Sequence, residues 1–173
     1  ALAKQHNWVV IPYGGGTSVV GHINPVADER PILTLALTNL NNLIKLDESS
    51  QLATIGAGAT GPQVEALLKP HGYMLGHYPQ SFELSTLGGW VASRSSGQQS
   101  LHYGRIEQLF AGGHIETLNG ALDIPTLPAS SAGPDLREMM MGSEGRFGVI
   151  TEATVRVSRC AEHEEFHVYF VPD

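Results

Sequence analysis

Three consecutive glycines, Gly14, Gly15 and Gly16, come two residues after the β-branched run Val9-Val10-Ile11 and are followed by Thr17 and Ser18. Regular structure does not pass easily through such a stretch, because glycine loses the most backbone freedom on folding and has no side chain to pack. The reading is a strand, Asn7 to Ile11, stopped by Pro12, and then a tight loop from Tyr13 to Ser18. Successive N–H groups in such a loop can converge on an anion, with two hydroxyls beside them. The loop lacks the lysine of a P-loop and the spaced glycines of the dinucleotide fingerprint, so taken alone it reads as an ordinary glycine turn.

Two further stretches change that balance. Gln80-Ser81-Phe82-Glu83-Leu84-Ser85-Thr86-Leu87-Gly88-Gly89 offers hydroxyls and bare backbone where a helix is expected to start. Met141 to Thr151, with Gly142, Gly145 and Gly148, joins a helix end to a strand; a simple helix C-cap also accounts for it. The first two loops can clamp one diphosphate, and the third can wall a ligand.

The chain between the loops alternates helical and strand patterns. Pro31 to Leu37 reads as a strand, and Leu43 to Leu46 with Gln51 to Ile55 reads as a hairpin around Asp47-Glu48-Ser49-Ser50. Pro62 opens a helix whose Val64, Leu67 and Leu68 share one face until Pro70 and Gly72 end it. A second helix follows Ser85-Thr86. Residues 106–119 read as two strands around Gly112-Gly113, Leu136 to Met141 as a short helix closed by Gly142, and Gly148 to Val157 as an alternating strand. The fold class is α+β with no internal repeat. The opening Ala1 to His6 reads as the end of a helix already under way, without an initiator Met, so an excised piece of a longer chain is expected.

Ten basic residues against seventeen acidic ones give a net charge of −7, with no Lys/Arg run to follow a phosphate backbone, which argues against nucleic acid as a partner. An anionic ligand on this chain must be met by neutral N–H groups and hydroxyls. No apolar stretch is long enough for a membrane span. Cys160 is the only cysteine, so no internal disulfide can form.

Together these residues resemble the FAD-binding domain, of PCMH type, of the vanillyl-alcohol oxidase family, from about Trp8 to Val157. Gly76-His77-Tyr78-Pro79-Gln80-Ser81 through Gly97, with Tyr103-Gly104-Arg105-Ile106-Glu107, resemble the alkyl-dihydroxyacetone-phosphate synthase branch. The pattern departs at Gln80, where an acidic residue is usual, and at Phe147, where a smaller aliphatic is common. The resemblance implies a two-lobed domain with mixed and antiparallel sheets flanked by helices: residues 1–40 as one lobe, 41–158 as the other, and 159–173 as the start of a connection to an absent cap domain that carries the substrate site.

It also implies the cofactor, FAD. The first loop, Pro12, Tyr13, Gly14, Gly15, Gly16, Thr17 and Ser18, would bind its pyrophosphate. The second, Gln80, Ser81, Ser85, Thr86 and Gly88, would bind pyrophosphate and ribityl. Ser93, Arg94, Ser95 and Ser96 form the next contact segment, and Glu144, Gly145, Gly148, Val149 and Ile150 run along the adenine side. The bicovalent Arg-x-Gly-Gly-His motif is missing from the first loop, so noncovalent FAD is expected. His22, His77 and His102 read as structural or exposed histidines. Of Arg94, Arg105 and Arg146, Arg94 has the best claim on a phosphate or flavin carbonyl. No metal is expected: His163-Glu164-Glu165-Phe166-His167 matches a zinc-protease pattern, but its flanks favour strand over the helix that such a site needs.

The catalytic residues lie outside the chain on this reading. The parent enzyme would be either a synthase that exchanges a fatty acid for a long-chain alcohol without net redox change, or an oxidase or dehydrogenase that takes hydride from an alcohol or 2-hydroxy acid. A small-molecule or lipid-like substrate would meet the missing cap. A nucleotide-binding module without activity is the reading from another class. A homodimer stays open, as does location: cytoplasmic for a bacterial parent, peroxisomal for a eukaryotic synthase.

Overall fold

Two short strands pair in parallel near the start of the chain: β1 (Val9–Tyr13) runs beside β2 (Ile32–Ala36), with Val9 opposite Ile32 and Tyr13 opposite Ala36. A single helical turn, α1 (Leu2–Gln5), precedes them. Pro12 lies inside β1, opposite Leu35, so the strand does not stop before it as expected. A two-stranded sheet has only edges, and on an edge strand a missing N–H need not break a ladder. The structure is a computed structural model and describes residues 2–172.

A larger, wholly antiparallel sheet follows. β3 (Leu43–Asp47) and β4 (Leu52–Gly56) form the expected hairpin. A short β5 (Tyr73–Met74) precedes β6 (Phe110–Thr117) and β7 (Gly120–Ile124), and β8 (Val149–Arg156) then enters between β4 and β6. The order is β3-β4-β8-β6-β7, and β9 (Ser158–Arg159) pairs separately with β5. The expected pair of strands around Gly112-Gly113 is in fact a helical turn, Ile106 to Leu109, followed by the single strand β6, which runs straight through both glycines. A Cβ on Gly112 would overlap the Ile124 carbonyl and one on Gly113 the Glu152 carbonyl, so these glycines admit neighbouring backbone and make no turn. The hairpin turn falls at Leu118-Asn119.

The helices are α2 (Gly61–Leu68), α3 (Leu87–Ser93), α4 (Ser100–Tyr103), α5 (Ile106–Leu109) and α6 (Leu136–Met140). α2 starts as its sequence predicts: Thr60 is the N-cap, Gln63 Oε1 accepts the Thr60 N–H at 2.9 Å, and Pro62 occupies the first turn. It runs on into a 3-10 turn, Lys69–His71, which ends where Gly72 adopts a left-handed φ of 77°. Val64 and Leu68 of α2, with Leu87, Trp90 and Val91 of α3, pack against Ala53, Ile55, Ala153 and Val155 of the sheet. Each large apolar side chain buried in this way contributes on the order of 1.5–3 kcal/mol. The result is an α+β domain in which α3 crosses the central strand β8.

Beyond β9 the chain to residue 172 forms neither helix nor strand, and Phe166, Tyr169 and Phe170 are exposed. His163 and His167 lie in this extended segment, each against Glu165, at 2.7 and 3.3 Å. No helix brings the two imidazoles to one point, as a zinc-protease site requires. Among the described residues no helix is long and apolar enough to cross a membrane.

Candidate functional site: a cleft between three loops

The three glycine loops come from residues far apart in sequence and meet at one place. A Cβ on Gly15 would overlap the Leu84 carbonyl and lie 2.9 Å from the Ser85 Cα, and one on Gly14 would overlap the Thr86 hydroxyl. The third loop closes on the first, where a Cβ on Gly145 would stand 3.2 Å from Pro12 Cγ. It is also tied to α3: the Gly142 N–H donates to the Val91 carbonyl at 3.1 Å and the Glu144 N–H to the Ala92 carbonyl at 2.9 Å. Glu144 takes a φ of 52° to do so, which is unusual for a residue with a side chain. Between the loops runs a cleft of about 370 Å³.

Its donors differ in kind from loop to loop. Among the described residues, the N–H groups of Gly15, Gly16, Thr17 and Ser18 donate to no protein acceptor, so the first loop presents bare backbone, as its composition predicts. The start of α3 does not. Its Leu87 N–H donates to the Ala59 carbonyl at 2.9 Å, Gly88 N–H to the Ala57 carbonyl at 2.8 Å, and Gly89 N–H to Thr86 Oγ1 at 3.3 Å. The second loop therefore contributes hydroxyls, those of Ser81, Ser85 and Thr86, where bare backbone was also expected. Ser93 also lines the cleft, but its hydroxyl donates back to the Gly89 carbonyl at 2.8 Å, so it shows the cleft lone pairs and no proton.

Among the described residues, two titratable side chains line the cleft, His22 and Glu144. His22 Nδ1 lies 3.0 Å from Ser18 Oγ and 3.8 Å from Glu144 Oε2, linking the first and third loops. Among the described residues no lysine or arginine lines it, so an anion here is held by neutral donors, consistent with a chain of net charge −7. Behind the cleft, His77 is fully buried with its Nε2 2.7 Å from Ser95 Oγ and its Nδ1 without a partner. Burial pushes its pKa down to about 4, so it is neutral near pH 7. Burial also raises the pKa of Glu65, against the lowering effect of the N–H groups it accepts from Gly76 and Leu75, at 3.1 and 3.2 Å. Those bonds fix the chain that leads into the second loop.

Of the residues expected at a cofactor, Pro12, Gly14, Gly15, Gly16, Thr17, Ser18, Ser81, Ser85, Thr86, Gly88, Ser93, Glu144, Gly145, Gly148 and Ile150 line the cleft. Tyr13, Gln80, Arg94, Ser95, Ser96 and Val149 do not. Tyr13 instead packs behind Gly16, where a Cβ would overlap its hydroxyl. Val149 points away because it alternates with Gly148 and Ile150 along the chain. Arg94 caps α3 in a left-handed conformation and pairs with Glu138 and, at 3.7 Å, with Glu107, so the arginine with the best claim on phosphate is held by carboxylates. Ser95 turns to His77, and Ser96 lies by Arg105 and Gln108 in a separate shallow depression. Sequence reasoning missed Leu37, Ile23, Ala92, Val19 and Val20, wall residues with no polar side chain, and set aside His22, which lies just past the first loop.

A family profile described as "FAD binding domain" matches residues 1–122. The chain is 38% identical over 173 residues to an alkyldihydroxyacetonephosphate synthase of Trypanosoma brucei brucei, covering 99% of this chain and 28% of that protein. It is 31% identical over 158 residues to D-lactate dehydrogenase [cytochrome] 1 of Saccharomyces cerevisiae, covering 90% of this chain and 26% of that one. A solved structure of an alkyldihydroxyacetonephosphate synthase superposes with a TM-score of 0.89 at 40% identity, over 94% of this chain and 29% of that one. The chain thus spans less than a third of the length of each of these relatives. A cleft lined by close-set glycines, unpaired N–H groups and hydroxyls fits the diphosphate of a dinucleotide, and with these matches the chain belongs to the FAD binding domain family, as a PCMH-type α+β domain that binds FAD.

Proposed function

We propose that the cleft holds FAD without a covalent bond and that residues 1–158 serve as the FAD-binding domain of a larger flavoenzyme. On this reading residues 1–40 and 41–158 form its two lobes, and residues 159–173 lead to a substrate-binding cap. The observation that carries the proposal is the meeting of three loops around unpaired N–H groups and hydroxyls. In it, the Gly15 to Ser18 N–H groups and the Ser85 and Thr86 hydroxyls hold the diphosphate, while Glu144 to Ile150 line the adenine side. Leu37, Ala92 and Ile150 exclude water from the walls. Ser93 offers an acceptor to a ligand hydroxyl or N–H. These contacts orient the isoalloxazine by remote binding energy. When bound, the flavin would supply the reactive chemistry that these side chains lack.

For the parent reaction we favour a synthase like the alkyldihydroxyacetonephosphate synthases, because Gly76 to Gly97 and Tyr103 to Glu107 carry that pattern. The second reading is an oxidoreductase acting on a 2-hydroxy acid, supported by the likeness to the lactate dehydrogenase. Mixing the full-length yellow protein anaerobically with D-lactate or glycolate separates them. Unbleached flavin with fatty acid released from acyl-dihydroxyacetone phosphate supports the synthase, and bleaching refutes it. Noncovalent attachment predicts that acid precipitation leaves the colour in solution; a yellow pellet contradicts it.

A further inference from the structure

Ser85 lies on the cleft wall with 5% of its surface exposed, and its Oγ accepts the indole N–H of Trp90 at 2.7 Å. An indole nitrogen can only donate, and a serine hydroxyl has one proton and two lone pairs. With a lone pair committed to Trp90, the Ser85 proton must go to another acceptor, and among the described residues none takes it. The neighbouring Thr86 is in the same state: its Oγ1 accepts the Gly89 N–H, and among the described residues none takes its proton. Both residues line the cleft.

We propose that Trp90 is a positioning residue for the cofactor, whose indole N–H turns the Ser85 hydroxyl so that it donates into the cleft. The inference rests on FAD occupying the cleft. Phosphate oxygens only accept hydrogen bonds, so a serine that showed them a lone pair would repel the ligand it is placed to hold. Charge does not correct such an error here, because among the described residues no lysine or arginine lines the cleft and Glu144 does. Trp90 itself does not line the cleft. It is 2% exposed, stacked with Phe82 at 6.5 Å and edge-on to His77 at 5.0 Å. That packing holds the indole plane, and with it the N–H direction. The role thus separates into a packing part, shared by any isosteric ring, and a polar part that belongs to one N–H group.

The test uses the full-length apoprotein, with FAD affinity read by quenching of flavin fluorescence and apoprotein stability read by thermal melting. Benzothienylalanine at position 90 replaces the N–H by sulfur and keeps the ring; W90F removes the N–H more coarsely. A hydrogen bond to a charged group is lost in S85A, which should weaken FAD about 10- to 100-fold. The benzothienyl variant should weaken it about 3- to 10-fold at unchanged apoprotein melting temperature, and should have no further effect in the S85A background. Wild-type affinity in the benzothienyl variant, or the same loss with and without Ser85, overturns the proposal while leaving the FAD reading intact. A wild-type protein that binds no FAD overturns both.

Discussion

Replacing Gly15 by alanine perturbs the junction of the first two loops with a single carbon. The φ of Gly15 lies outside the left-handed region, so the cost is steric alone. The new Cβ would overlap the Leu84 carbonyl oxygen and stand 2.6 Å from the Leu84 carbonyl carbon and 2.9 Å from the Ser85 Cα. Ordinary carbon contacts are about 3.5–4.0 Å, so the loops must part by roughly 1 Å. All three neighbours are backbone atoms and cannot rotate away. Overpacking of this kind costs about 1–3 kcal/mol, and the melting temperature should fall by roughly 3–10 °C for a domain of this size. Moving Ser85 and Thr86 by 1 Å weakens two hydrogen bonds to a charged ligand, so FAD affinity should fall on the order of 100-fold. Gly72→Ala is the control. Gly72 has a φ of 77° and open space around its Cβ position, so it should lose about 1 kcal/mol of stability and no FAD affinity. Flavin-fluorescence titration and thermal melting of the two variants decide the matter. G15A protein that binds FAD within twofold of wild type would refute the idea that close approach of these loops builds the site.

His77 should make the protein acid-sensitive. Its folded pKa of about 4 lies below the ordinary value of 6.5, so its contribution is fully present above about pH 6.5 and is lost as pH falls towards 4; urea midpoints should show this limb, worth at most ~3 kcal/mol, flattened in H77Q. Thr86→Val removes both the cap of α3 and a cleft hydroxyl, so it should cost about 1 kcal/mol of stability and weaken FAD, while Thr86→Ser restores both. Gly113→Ala should destabilise by about 1–3 kcal/mol in urea titration without any change in FAD affinity per folded molecule, because its Cβ meets the Glu152 carbonyl inside the sheet and not the cleft.

Signals that are local in the chain were legible, and those that depend on distant partners were not. Thr60 with Pro62, and Thr86 ahead of α3, mark helix starts because a cap acts within one turn. The alternation from Val149 onward marks β8 because the period of a strand is visible in its own residues. Gly112 and Gly113 misled because the usual reading of a glycine pair is a turn, while their actual cause is a carbonyl on each side, at Ile124 and Glu152, supplied by other strands. Arg94 misled for the same reason: its carboxylate partners Glu107 and Glu138 sit on other elements. In the site, glycines and hydroxyls stood out because their chemistry is unusual, whereas Leu37 and Ala92 are ordinary apolar residues that become walls only through folding. The satisfied N–H groups at the start of α3 were also unreadable, since Ala57 and Ala59 accept through backbone, which every residue has.

The most direct test is a crystal structure of the full-length protein with FAD bound. The diphosphate should lie within hydrogen-bonding distance of the N–H groups of Gly15 to Ser18 and of Ser85 Oγ, with Glu144 to Ile150 beside the adenosine half and no covalent link to His22. A flavin seated elsewhere on the domain, with the Gly15, Ser85 and Gly145 turns in contact only with solvent, would contradict the account.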